Sequence, residues 1–379
     1  MKTKIEEYIN QVTEQIQFKE ARYDVSREFK IHIEENIQMA KSFGLSEIEA
    51  EVEALKRMGD PLSVGKKLNL ISKPKIDKFL LFLVVALIFF GEFFLITLKW
   101  SYNQFAWILV GLIAMTFVYI SPYRRIVNFV SSLYLIGFLG IFASLWSGLI
   151  FEGQPYLSLM GLHIKIIDLS SVMMAISIPA ILEKLPNKYH NLTAPLLVLI
   201  PVIYFSFIGS LFPAILILGS CILGLNCFKI KDSNLVIIGL VGTFALLFGS
   251  RNVFQNNEQL SSIINSERHT DFIISGISRM NFIASAIVVM ILASFVARIF
   301  KITNKIKNRW LKSTSMICAS LFAIEIFFGI NSNLGFTPAF KTGVNLPFLS
   351  YGGSLMVAHF FMIGMILAAG KRRNISSFA

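Results

Sequence analysis

The residues that point most directly to chemistry lie near the C-terminus of this 379-residue chain. Pro347 and the pair Gly352-Gly353 interrupt helical backbone within an apolar region, and Ser350 and Tyr351 add hydroxyl groups there. Interrupted backbone at membrane depth is tolerated only where it is buried in protein or lines a wet cavity. These residues therefore predict a broken element beside a cavity, without indicating a particular reaction.

Carboxylates in apolar segments form a second group of candidates. Glu92 and Glu325 stand inside such segments, and Asp168 stands at the end of another. An ionisable residue in a membrane span is a functional candidate, with partners in the interior of the helix bundle. For Glu92 and Glu325 two interpretations stay open, a functional group or a neutral, hydrogen-bonded core residue.

The composition decides what kind of protein must position these residues. Hydrophobic residues make up 55% of the chain and charged residues only 15%, against about a quarter charged in soluble domains. The net charge of +12 arises entirely after residue 78, in the apolar part of the chain. A nucleic-acid-binding domain would gather basic residues on a soluble face. The sequence therefore predicts a membrane protein that does not bind nucleic acid.

Apolar stretches of about 17–25 residues follow one another from residue 79, the length needed to cross about 30 Å of hydrocarbon. The predicted spans are 79–98, 105–120, 128–150, 166–183, 192–208, 210–227, 234–250, 272–297, 314–330 and 352–369. With the N-terminus inside, fifteen basic residues fall in inner loops and five in outer ones. Because basic loops stay cytoplasmic, both termini are predicted to be cytoplasmic.

This orientation places two long polar loops, residues 250–271 and 331–350, on the outer side. Loops longer than about 15 residues are more often functional or disordered than simple connections. Arg251, Arg268 and Lys341 are the basic residues that the predicted topology leaves near them. Chemistry on an exported substrate would need residues in such places.

The first 70 residues predict a separate cytoplasmic head of three or four amphipathic helices. Ser46 and Glu49 form a capping-box pattern, Gly59 ends the helix that follows, and Asp60-Pro61 begins another. The predicted domains are the head at 1–70, a linker at 71–78, a membrane domain at 79–370 and a basic cytoplasmic tail at 371–379. The fold class is an all-α integral membrane protein with a small N-terminal helical bundle.

Two motifs resemble the SEDS (shape, elongation, division and sporulation) family, the FtsW/RodA/SpoVE group. One is "KTGVNLPFLSYGGS", which contains Gly343, Pro347, Ser350, Tyr351, Gly352 and Gly353. The other is "HTDFI", which contains His269, Thr270, Asp271 and Phe272 at the outer start of the eighth predicted span. Both motifs stand in the family's order, within a resemblance that covers residues 79–370. The head resembles the helical prefix domains of some Gram-positive membrane proteins.

The family resemblance implies a peptidoglycan glycosyltransferase that polymerises lipid II, the undecaprenyl-pyrophosphate-linked disaccharide-pentapeptide, on the outer face of the bacterial cytoplasmic membrane. In this interpretation Asp271 is the general base that takes a proton from the attacking sugar hydroxyl. Arg268, Lys341 or Arg251, or a bridging divalent cation, would neutralise the departing pyrophosphate. The resemblance also implies a class B penicillin-binding protein as partner, in elongation, division or sporulation.

Simpler interpretations and departures from the family pattern leave alternatives open. Asp271 could instead cap the eighth helix, where a carboxylate suits the N-terminal dipole. The family carries acidic residues eight and nine positions later, where this chain has Arg279 and Met280, and the family's Gly-rich stretch before the motif is absent. A catalytically weak or inactive scaffold is therefore the second hypothesis. A lipid-linked precursor transporter, suggested by ten spans and buried acids, is the third.

Overall fold

A computed structural model describes most of the chain and divides it into two compact units. The described residues are 2–72, 76–97, 104–147, 150–151, 154–155, 157–159, 162–164, 166–228, 230–254, 274, 277–278, 282–334 and 344–372. The first unit comprises Met1–Ile76 with Ile306–Asn308 and Gly370–Ala379. The second comprises Asp77–Lys305 and Arg309–Ala369.

The N-terminal part of the first unit is a four-helix bundle, as the amphipathic pattern predicts. Its helices are α1 (Lys2–Glu14), α2 (Lys19–Ser42), α3 (Glu47–Met58) and α4 (Pro61–Ser72). Val12, Ile16 and Ile33 are fully buried in its core. The capping box is formed, because Ser46 Oγ accepts from the backbone N–H of Glu49 while the Ser46 N–H donates to the Glu49 carboxylate.

Ten apolar helices make up most of the second unit in the described part of the chain, matching the ten predicted spans in order. They are α5 (Lys78–Thr97), α6 (Gln104–Ile120), α7 (Tyr123–Ser147), α8 (Ile166–Lys184), α9 (Asn187–Phe207), α10 (Leu211–Leu225), α11 (Asp232–Phe254), α12 (Phe282–Thr303), α13 (Arg309–Asn333) and α14 (Gly353–Lys371). Seven are long and apolar enough to cross a membrane, and the apolar parts of α6, α10 and α11 are shorter. The prediction of a multi-pass, helical membrane protein is confirmed.

The directions of two helix pairs agree with helices that alternate through the unit. Trp107, Gly111 and Met115 of α6 meet Gly353, Phe360 and Gly364 of α14 in the same order along both helices, so these two helices run parallel. Helices α10 and α13 run antiparallel, since Gly219 contacts Ile324 and Gly224 contacts Ile317. Both relations are those expected if the short helices α6 and α10 cross the unit as the long ones do. Which side each terminus faces stays a prediction from the basic loops.

Two short β-hairpins lie between α7 and α8, where the sequence interpretation had only a connection. Strands β1 (Ile150–Phe151) and β2 (Gln154–Pro155) pair antiparallel, and so do β3 (Leu157–Leu159) and β4 (Leu162–Ile164). The missed signal is the pair of short runs Leu-Ser-Leu and Leu-His-Ile separated by Met-Gly, a spacing typical of a two-residue hairpin turn. The hairpins add a small strand component to an otherwise helical protein.

The interior of the membrane unit is formed mainly by α8, α13 and α14. Of the apolar stretch in α8, 78% is buried, against 28% in α12. Two buried hydroxyls in α8 bond within the helix, because Ser171 Oγ donates to the Asp168 carbonyl and Ser177 Oγ to that of Met174. A third, Ser170 Oγ, is buried without a hydrogen-bond partner in the described residues. The exposed side chains of the outer helices are large and apolar, as expected for surfaces that contact hydrocarbon.

One ion pair joins the beginning of α5 to the end of α12. Arg298 donates two hydrogen bonds to the Asp77 carboxylate, at 3.0 and 2.7 Å, and Asp77 also accepts from the backbone N–H of Leu80. Burial alone would raise the pKa of Asp77, but the hydrogen bonds from Arg298 and Leu80 lower it below its usual value overall. The same carboxylate therefore caps α5 and holds α12 beside it.

Replacing Asp77 by Asn should lower the free energy of unfolding at neutral pH by about 1 kcal/mol, because a two-pronged charged hydrogen bond is lost. A lowered folded-state pKa stabilises the fold above the ordinary aspartate range, and this stabilisation disappears as pH falls through the lowered value. The difference in melting temperature between wild type and Asp77→Asn should therefore shrink below about pH 4.

Lys305→Gln is the matched control for this prediction. Lys305 acts on Asp77 only through its charge, without a hydrogen bond to it, so its loss should change stability by less than about 0.5 kcal/mol. A difference between wild type and Asp77→Asn that persists unchanged in acid would contradict the linkage.

Candidate functional site

The C-terminal motif forms a compact, irregular turn immediately before α14, and we call residues 344–352 the break. The Leu346 N–H donates to Ser350 Oγ at 2.8 Å, and the Leu346 carbonyl accepts from the N–H groups of Leu349 and Ser350 at 3.2 and 3.1 Å. Pro347 has no N–H to satisfy, which suits an interrupted helix. The turn thus closes on itself through the backbone groups of Leu346.

Phe348 connects the break to the surrounding helices. Its φ of 63° lies in the left-handed region, which costs a residue with a side chain roughly 1–2 kcal/mol. Its ring is 2% exposed and lies 5.2–6.1 Å, centroid to centroid, from Phe295, Phe322, His359 and Phe360. We call these five rings the aromatic cluster. They join α12, α13 and α14 to the break, and their packing offsets the backbone strain.

Glu325 and His359 form a buried hydrogen-bonded pair beside this cluster. Glu325 Oε2 of α13 lies 2.9 Å from His359 Nε2 of α14, and the two side chains are 5% and 3% exposed. The sequence identified Glu325 as an intramembrane acid and left its role open. It missed His359, although an imidazole inside an apolar span was the available signal.

Helix α5 packs directly against the break. A Cβ on Gly91 would lie 2.8 Å from the Phe348 carbonyl oxygen and 2.9 Å from Leu349 Cα, so the two backbones are in contact there. The next residue, Glu92, is buried, and its Oε2 has no hydrogen-bond partner in the described part of the chain. The second intramembrane acid therefore also lies close to the break.

The beginning of α6 holds the end of the break. The Gly352 N–H approaches the side-chain oxygen of Gln104 at 3.4 Å, and Gly353 packs against the indole of Trp107. Gln104 is fully buried, and neither its Nε2 nor the Oδ1 of Asn345 has a partner in the described regions. The Tyr351 side chain is half-buried at this end. Buried amide groups with unused bonding capacity are thus concentrated around Gly352.

The structure does not test the geometry of the HTDFI motif. Nine residues named in the sequence interpretation lie outside the described part of the chain: Arg268, His269, Thr270, Asp271, Phe272, Arg279, Met280, Lys341 and Gly343. Arg251 lies in the last turn of α11, where only the backbone is described. Within the described ranges, no group of three or more His, Cys, Asp or Glu residues is placed to hold a metal ion.

Comparison with known proteins identifies the class of molecule to which this arrangement corresponds. The crystal structure of the Thermus thermophilus rod shape determining protein RodA matches with a TM-score of 0.64 at 20% identity, over 79% of this chain and 98% of that chain. A chain from a peptidoglycan synthase complex, described for its coordination of polymerization and crosslinking, matches with a TM-score of 0.65. The second unit is therefore a multi-pass helical membrane domain with the RodA fold.

Sequence relatives agree with this fold. The FtsW/RodA/SpoVE family model, described as "Cell cycle protein", matches residues 252–375, which contain both motifs. A probable peptidoglycan glycosyltransferase FtsW from Alcanivorax borkumensis is 32% identical over 115 residues, or 28% of this chain and 29% of that protein. Its Bacillus subtilis counterpart is 34% identical over 113 residues. The chain matches less than a third of the length of these curated relatives, and the SEDS resemblance predicted from its motifs is confirmed.

Substituting Gly91 tests the contact between α5 and the break. Gly91→Ala should destabilise the protein by about 1–3 kcal/mol, because the new Cβ would meet backbone atoms that cannot turn aside. Melting temperature in detergent measures the effect. Gly239→Ala in α11 is the control, since its Cβ would meet no atom within 4 Å, and it should leave the melting temperature nearly unchanged. Equal effects of the two substitutions would refute the close packing.

Proposed function

We propose that this protein is a peptidoglycan glycosyltransferase that polymerises lipid II on the outer face of the bacterial cytoplasmic membrane. The observation that carries the proposal is the family match over residues 252–375, which includes the HTDFI motif and the break in one membrane domain with the RodA fold. Two relatives named as probable peptidoglycan glycosyltransferases match over 115 and 113 residues and support the same proposal.

The proposed reaction transfers a glycan from its undecaprenyl pyrophosphate to the sugar hydroxyl of a second lipid-linked molecule. Asp271 takes the proton of the attacking hydroxyl as the oxygen bonds to the anomeric carbon. The pyrophosphate leaves with the electrons of the broken bond, and its charge needs a cationic partner. We assign that task first to Arg268, with Lys341, Arg251 and a divalent cation as further candidates.

The membrane orientation and the partner belong to the same proposal. Fifteen basic residues in the predicted inner loops, against five in the outer ones, support a cytoplasmic head and a cytoplasmic C-terminus. This orientation puts Asp271 and the break on the outer side. A class B penicillin-binding protein would then crosslink the new strands. The matching chain from a peptidoglycan synthase complex supports such an assembly.

A non-catalytic scaffold is the competing function, and Arg279 is the specific observation that favours it. The family has an acidic residue eight positions after the motif's aspartate, where this chain has Arg279. A guanidinium there would lower the pKa of a nearby carboxylate and weaken it as a base, or would displace a cation. If the protein is a scaffold, we expect Asp271→Ala to have no effect on cell-wall synthesis.

A polymerisation assay with purified protein and lipid II tests the proposal. Asp271→Ala should reduce glycan synthesis by about 10²-fold or more, the contribution expected of a general base. Asp232→Ala is the control, because it removes an exposed carboxylate at the start of α11, on the side predicted to be cytoplasmic, and should leave synthesis within about twofold of wild type. Polymer formation by Asp271→Ala at the wild-type rate would reject the assigned role.

A further inference from the structure

The Glu325–His359 pair lies where three parts of the membrane unit meet. Glu325 belongs to α13, His359 belongs to α14, and the His359 ring lies 5.6 Å from the ring of Phe348 in the break. We propose that Glu325 and His359 are positioning residues, whose hydrogen bond sets the conformation of the break in which the protein turns over its substrate. This inference rests on the proposed glycosyltransferase function.

Packing of two apolar helices does not require a buried polar pair. Replacing such a pair by apolar residues of similar volume is often neutral or stabilising, whereas removing one partner leaves an unpaired polar group and is costly. A buried pair can instead impose one specific arrangement on its neighbours. Here the hydrogen bond between Nε2 and Glu325 fixes the rotation of the imidazole ring, which lies 5.6 Å, centroid to centroid, from the rings of Phe322 and Phe348.

The ring orientation matters because Phe348 is held in an unfavourable backbone conformation. Its φ of 63° persists only if the surrounding structure holds it there. The rings of Phe295, Phe322 and Phe360 confine Phe348 on other sides, and His359 is the member of the aromatic cluster whose rotation is fixed by a hydrogen bond. Releasing the imidazole would allow Phe348 to relax toward negative φ.

Relaxation of Phe348 would move the residues of the break that follow it. Its carbonyl contacts α5 at Gly91, and the following residues lead through Ser350 and Tyr351 to Gly352, whose N–H approaches Gln104. A shift of about 1 Å in a group that orients substrate can lower turnover by about 10²-fold. The pair therefore acts on turnover through the backbone of the break, without needing to touch the substrate.

The decisive test separates stability from turnover in three variants. Glu325→Leu and His359→Leu each leave one buried polar partner, and both should lower the melting temperature and lipid II polymerisation. The double variant Glu325→Leu/His359→Leu leaves no unpaired group, so its melting temperature should return to the wild-type value. Its kcat should remain at least about tenfold lower with an unchanged KM, because the break stays misplaced. Glu325→Gln keeps an acceptor oxygen and should retain most activity.

Recovery of both melting temperature and kcat in the double variant would overturn the inference, since the pair would then be only structural. A second measurement reports the accessibility of residue 352 in the break and does not depend on catalysis. In a background lacking Cys221, Cys227 and Cys318, Gly352→Cys has room for its side chain, with Asn345 Nδ2 the nearest atom at 3.9 Å. Its rate of reaction with a membrane-impermeant maleimide in native membranes should change severalfold on adding His359→Leu, and stay unchanged on adding Glu325→Gln.

The two measurements also separate this inference from the proposed function. If wild-type protein makes no polymer while the maleimide rate responds to His359→Leu, the glycosyltransferase proposal fails and the pair still sets the break. If wild type polymerises lipid II and His359→Leu leaves the rate of maleimide labelling unchanged, the glycosyltransferase proposal is supported and the positioning role is wrong. The labelling result decides this even if the double variant does not accumulate.

Discussion

A chain that interrupts its helix inside an apolar protein interior must still find a partner for every buried backbone N–H and carbonyl. In the break Leu346 meets this requirement locally, because Ser350 Oγ accepts from its N–H and its carbonyl accepts from the N–H groups of Leu349 and Ser350. Gln104 supplies the acceptor nearest Gly352. The broken element therefore exists because α6 and its own serine supply the bonds that a continuous helix would have made.

Backbone strain and unpaired buried polar atoms, which destabilise the fold, occur together in and around the break. Phe348 carries a left-handed backbone, and Gln104 Nε2, Asn345 Oδ1 and Glu92 Oε2 are buried without partners in the described residues. Aromatic packing from α12, α13 and α14 and backbone contact with α5 hold the segment in place. Strain and unsatisfied polar groups that gather at one place are typical of functional sites.

This arrangement gives the proposed chemistry a physical setting. Helix α12 follows the HTDFI motif in sequence and contributes Phe295 to the aromatic cluster, while its far end is tied to α5 through Arg298 and Asp77. Helix α5 in turn presses on the break at Gly91. Helix α12 and the break are thus connected both directly, through Phe295, and through α5.

Hydropathy and its periodicity by themselves determined the ten apolar helices, the helical head and the class of membrane protein, because each depends on local sequence pattern and span length. The Ser46 cap followed from the spacing of Ser46 and Glu49. The spelling of the two motifs indicated the family that the chain resembles. Only the tertiary structure paired Glu325 with His359, because residues 34 positions apart on two helices meet through packing that no local pattern encodes. It alone also showed the left-handed Phe348 and the contact at Gly91, since both depend on which helices surround the break.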